Sequence, residues 1–236
     1  MLQTRGELRE MAVMGKQAGT EVCLFVGPRG SYTTGVFAHT AAGEGVAWGI
    51  QGDAQLNAAV VDIQRAIAEG IRSFLVADIG LMARLGALQH GGDIPASVTW
   101  KISAAIPASN SETLRLLTEL GATTINVPSD ISAWQLHEMR NAVSAPLDLY
   151  LEAPDGMGGT IRFPEAAELI AIGAPMYIKL GLANARGVYP SGGHIDDVAS
   201  SQAAEKVRRA EIASDWIPSE LTQSPNAFSG PGIPEP

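Results

Sequence analysis

Asp148, Tyr150 and Glu152 alternate with Leu147, Leu149 and Leu151. A period of two is that of a strand with one polar and one apolar face. Other short apolar stretches alternate in the same way. Lys101 opposes Trp100 and Ile102, and Asn126 opposes Ile125 and Val127. Tyr177 and Lys179 oppose Met176, Ile178 and Leu180. Four successive strands thus present polar groups on one face. Two ammonium groups facing two carboxylates nearly neutralise one another, the condition under which buried charge is tolerated. Such a cluster also shifts proton affinities, as acid–base catalysis requires. The bland alternative is a salt-bridge lattice that merely fills a barrel. On the functional reading Glu152 is the acid–base group, ahead of Asp148 because it lies later in its strand. Lys179 and Lys101 stabilise charge, and Asn126, Tyr150 and Tyr177 contact the substrate.

These residues need a scaffold of parallel strands. Strands are expected at 22–26, 73–78, 98–103, 124–127, 147–152 and 176–180. After the first interval, their starts fall 23 to 29 residues apart, the spacing of minimal β-α units. Helical patterns fill the intervals. One runs over 5–18 and stops at Gly19; another carries Leu56, Val60, Ile63 and Ile67 and closes at Gly70. A short helix covers 81–88. Ser109 and Glu112 form a capping box for the next, as do Ser132 and Gln135 for the one after. Pro164 suits the first turn of a helix to about 172, and the last helix covers 197–213. Parallel strands covered by helices on both faces read as unbroken apolar runs. Here one face is polar, so the sheet is expected to curl, with leucines outward and charges inward. The fold class is therefore α/β, a TIM-type (β/α) barrel with six of eight units, as though two leading β-α units were absent. A complete barrel has eight units and about 250 residues.

The loops after the strands add candidates, because barrel active sites form at the C-terminal mouth. Asp78 ends its strand, with helix capping as its plain role. Arg162 closes a glycine-rich loop from Asp155 and offers a grip on an anion. Asn184, Ser191 and His194 follow the last strand, where barrels often bind anions. His194 with Asp196 and Asp197 matches no standard metal spacing, so no metal and no cofactor are expected. Cys23, within an apolar strand, reads as a small hydrophobe.

The chain has 236 residues, 46% of them hydrophobic, and a net charge of −9. That suits one barrel domain over 1–213, with a Pro/Ser/Gly-rich tail, 214–236, expected to be disordered. The acidic balance and lack of a basic cluster argue against nucleic acid. One cysteine excludes a disulfide framework or a cysteine-ligated cluster within the chain. No run of apolar residues reaches membrane-spanning length and the first residues do not read as a signal peptide, so the cytoplasm is the expected location. Open sheet edges would offer a route to homo-oligomers.

Three segments carry a family resemblance: Ile125-Asn126-Val127-Pro128-Ser129-Asp130, Pro146 through Asp155, and Ala174 through Leu182. Together with Asn184 through His194, they resemble the collagenase-like peptidase family U-32, in a little-studied bacterial branch. The resemblance covers about residues 20–213 and is most specific in the last third. It implies a TIM-type barrel and a hydrolase acting on a peptide-like or small polar substrate, with catalytic residues undefined. Other members carry a four-cysteine iron–sulfur cluster, whose ligands this chain lacks. Two further readings stand beside the hydrolase. One is a non-catalytic barrel that binds a ligand or partner, and the other is a lyase or aldolase-like enzyme using a lysine.

Overall fold

The computed structural model describes residues 1–26, Thr40, 49–222 and 232–236. Six strands form one sheet in chain order: β1 (Cys23–Phe25), β2 (Ser73–Val76), β3 (Thr99–Ile102), β4 (Thr124–Asn126), β5 (Leu147–Glu152) and β6 (Met176–Leu180). Every neighbouring pair is parallel. The helices are α1 (Arg5–Ala18), α2 (Gly52–Ala68), α3 (Ile79–His90), α4 (Ser111–Glu119), α5 (Ala133–Ala142), α6 (Ala166–Gly173), α7 (Asp196–Ser214) and α8 (Ser219–Thr222). The result is an incomplete α/β barrel. The loop expected to follow β1 lies mostly outside the described residues.

Contacts across the inner face show that the sheet is curled. β3 and β6 are three strand spacings apart, about 14 Å in a flat sheet. Yet the Lys101 amine of β3 sits 3.5 Å from the centre of the Tyr177 ring on β6. The outward residues of the inner strands, among them Phe74, Trp100, Ile125, Leu147, Leu149 and Leu151, are fully buried beneath the helices. Trp100 donates its indole N–H to Gln89 Oε1 at 2.7 Å, which satisfies its one polar atom inside that layer.

Local signals set the helix ends. Thr4 and Glu7 form a capping box at α1, and Gly19 closes it in the left-handed region at φ 60°. Ser132 and Gln135 cap α5 as expected. At α4 the cap lies one residue later than expected. Asn110, not Ser109, accepts the Thr113 N–H at 2.9 Å. An asparagine amide is at least as good a cap as serine, and it also accepts the Thr113 hydroxyl.

The segment expected to be disordered is ordered in part. Residues 219–222 form α8, and 232–236 dock beneath the N-terminal ends of the strands. The Glu235 N–H donates to Gly70 O at 2.8 Å, its carboxylate pairs with Arg72, and Pro234 is buried. Proline-rich chain loses little entropy on ordering, so two polar ties and one buried ring hold it. Among the described residues no helix is long and apolar enough to cross a membrane.

Candidate functional site

The inner face is built in rungs by parallel register. Cys23, Ser73 and Thr99 form the lowest, and Phe25, Leu75, Lys101 and Thr124 the next. Above them come Asn126, Asp148 and Tyr177, then Tyr150 and Lys179. A cavity of about 300 Å³ opens among them, lined by Glu21, Cys23, Lys101, Asp148, Tyr177 and Lys179. That is the lower end of the range for small-molecule sites.

Asp148 is at its centre. Its Oδ2 accepts from the Thr124 hydroxyl at 2.9 Å and the Asn126 amide at 3.2 Å. Its Oδ1 is buried with no hydrogen-bond partner among the described residues. Burial pushes the carboxyl above its ordinary range, against the opposing pull of Lys101 and Lys179. Since Oδ2 already accepts twice, the proton of the neutral acid belongs on Oδ1. Asn126 also donates to Ile102 O and accepts from Lys179 Nζ at 2.8 Å. A carbonyl can only accept and an ammonium can only donate, so these partners fix the amide's orientation.

The two lysines have different surroundings. Lys101 is ion-paired to Glu21 at 3.2 Å and lies over the Tyr177 ring. Glu21 also accepts a hydrogen bond from the Ser73 hydroxyl. Lys179 has no carboxylate within ion-pair distance among the described residues. Asn126 holds its amine, which lies 4.5 Å from the centre of the Tyr150 ring. Burial and the nearby carboxylates raise the Tyr177 phenol, which stays neutral. The Cys23 thiol is pushed up to about 11, chiefly by the protein atoms around it. By surface area Cys23 is exposed. The cavity thus holds two cations, one carboxylate (Glu21) and one acid biased to neutrality, leaving a net charge of about +1 when Asp148 is protonated.

Glu152, the carboxylate ranked first from sequence, has other partners. It is fully buried and accepts the Ala183 N–H at 2.9 Å, and Arg209 of α7 reaches both its oxygens at 3.4 Å. A register shift in β5 between Tyr150 and Glu152 accompanies this change of partner. Arg162 is fully engaged: it donates to the Ser129 and Ile131 carbonyls, both at 2.9 Å, and pairs with Glu165. It staples two loops together instead of facing the cavity. The Asn184 backbone N–H donates to Asp155 at 2.9 Å, and the residue sits at φ 57°. Ser191 accepts from Gln3 at 3.4 Å. His194 is exposed in the turn before α7. None of these four lines the cavity. Asp78 caps α3 through the Leu81 N–H at 2.7 Å.

Sequence reasoning missed Glu21 and Arg209. Glu21 was detectable, since it continues the Cys23, Phe25 alternation back by two residues. Arg209 was not, because helical spacing gives no sign of which strand end it reaches.

The fold and site define an incomplete α/β barrel with a charged lumen. No family model matches the sequence, and no curated protein matches it. Among solved structures, it is similar to CutC from Streptococcus agalactiae at 14% identity and TM-score 0.50, over 74% of this chain and 80% of that one. It is also similar to the U32 peptidase Mk0906, at 18% identity and TM-score 0.41 over 63% of this chain. The chain spans 52% of that peptidase's length. The YdjI aldolase from Escherichia coli K12 aligns at 15% identity and TM-score 0.40, over 76% of this chain and 72% of that one. At such identities the likeness speaks to the barrel fold alone.

Proposed function

We propose that the lumen binds a small molecule carrying a single carboxylate and acts on it by proton transfer, with Asp148 as the acid. The observation that carries this reading is the unpartnered, buried Asp148 Oδ1 in a cavity it shares with Lys101 and Lys179. A buried polar atom without a partner costs about 1–3 kcal/mol, and a ligand oxygen at that point would remove the cost. The cavity's surplus of about one positive charge suits one carboxylate. Lys101 and Lys179 would hold the anion while Asp148 donates to the ligand's other oxygen.

Hydrolysis of a peptide-like substrate is the finer reading implied by the U-32 resemblance. It would use Glu152 as the acid–base group, at the upper end of β5 beyond the cavity lining. We favour Asp148, because Glu152 already answers a backbone N–H and Arg209.

Calorimetric titration with propionate, propionamide, pyruvate and glycylglycine tests the proposal. Pyruvate and propionate should bind, the neutral amide should not, and Lys101→Met should weaken carboxylate binding about tenfold or more. Equal binding of propionate and propionamide would overturn the charge argument. Cleavage of glycylglycine, lost in Glu152→Gln, would favour the hydrolase. Binding with no chemistry on any of them would leave the non-catalytic barrel.

A further inference from the structure

The geometry points to Lys179 as a nucleophile that forms an imine with the carbonyl of a 2-oxo acid, with Lys101 holding the carboxylate. This deepens the proposal above and rests on the same cavity.

The chain has four lysines, and two of them, Lys101 and Lys179, line this one cavity. Lysine is seldom drawn into an interior, yet Lys101 is buried and Lys179 half-buried around one small space, which calls for a chemical account. Their surroundings separate their roles. Lys101 is tied to Glu21 in an ion pair. The Lys179 amine is in no ion pair among the described residues. Asn126 Oδ1 accepts an N–H from the amine in either protonation state. The same amide donates through Nδ2 to Asp148. One rigid side chain therefore holds the amine and the acid in fixed relation, as imine formation requires.

The step balances within the cavity. Lys179 first gives a proton to water in the open cavity; its lone pair then forms the C–N bond as the carbonyl π pair moves to oxygen, which takes the Asp148 Oδ1 proton. The resulting carbinolamine gives a nitrogen proton back to Asp148. Its hydroxyl then leaves as water, protonated by the same carboxyl, and the nitrogen pair closes the C=N bond. Amine, carbonyl and Asp148 acid become a protonated imine, water and the Asp148 carboxylate, with no oxidant or reductant. The carboxylate beside the carbonyl, paired with Lys101, selects a 2-oxo acid over a plain aldehyde or ketone.

The test is reductive trapping. The protein is incubated with pyruvate and cyanoborohydride, which reduces the imine to a stable carboxyethyl amine, and adducts are mapped by peptide mass spectrometry. Lys179 should gain the carboxyethyl group about tenfold faster or more than Lys16, Lys101 and Lys206. Acetone in place of pyruvate should remove that advantage. Lys179→Arg should abolish the adduct and Lys101→Arg should keep it on Lys179. Should the arginine variant fail to fold, the site map on the unaltered protein decides alone. Calorimetric binding of pyruvate without preferential trapping at Lys179 would overturn the imine and spare the binding site. No pyruvate binding would overturn both.

Discussion

Asp148 owes its chemistry to a conflict between burial and charge. Desolvation disfavours its carboxylate more than two nearby lysines favour it. The folded protein then holds this proton more tightly than the unfolded chain does. Folding takes up a proton between the two titrations, so stability falls as pH rises from about 3.9 through the folded value. Asp148→Asn carries no such titration. Relative to the unaltered protein, its stability should rise across that window, by about 1.4 kcal/mol for each unit by which the carboxyl is raised. Urea midpoints from about pH 3 to pH 8 measure this, and a relative loss with rising pH would show that the lysines win. Glu152 is a fully buried carboxylate with a guanidinium beside it. Arg209 reaches solvent and has a second partner in Glu205 at 2.7 Å. Removing the arginine strands the buried charge, while removing the charge leaves a half-buried guanidinium still paired to Glu205. Arg209→Met should therefore cost about 3–5 kcal/mol and Glu152→Gln markedly less. The opposite order in chemical denaturation would refute the assignment.

At the scale of elements, the helix layer is closely fitted where α3 meets the end of α4. Gly86 faces the Leu120 carbonyl so closely that an added Cβ would run into that oxygen. The atom in the way is backbone, which cannot swing aside. Gly86→Ala should cost about 1–3 kcal/mol despite alanine's better helix propensity. A urea midpoint unchanged or raised would mean that α3 and α4 can slide apart. The docked tail is similar. A Cβ on Gly232 would lie 2.7 Å from both Glu21 Oε1 and Ser73 Cβ. Gly232→Ala should thus disturb the Glu21–Lys101 pair from outside the cavity, which the pH dependence of pyruvate binding would register.

The whole molecule is an open structure. Among the described residues, each strand from β2 to β5 has two partners, whereas β1 and β6 have one each. All five residues of β6 are only half-buried, and Cys23 on β1 is exposed. Unpaired parallel edges invite pairing with another chain. We expect concentration-dependent self-association, read by sedimentation or light scattering. A strictly monomeric protein with a cooperative thermal transition would count against it.

What the sequence determined by itself is whatever short-range spacing controls. Apolar runs at β-α spacing located all six strands, and period-two alternation in the last four put Lys101, Asn126, Asp148, Tyr150, Tyr177 and Lys179 on one face. Glycine stops and capping residues placed the helices, with Asn110 for Ser109 a one-residue slip. Alternation names the face of a residue but not its neighbours. Only the curl of the sheet brought Lys101 to the Tyr177 ring and Lys179 to Asn126. Only the register shift in β5 and the path of α7 gave Glu152 to Arg209, while Asp148 and Glu21 are the carboxyl groups that line the cavity. Proton affinity follows burial and partners, and both are set by chain segments far apart in sequence.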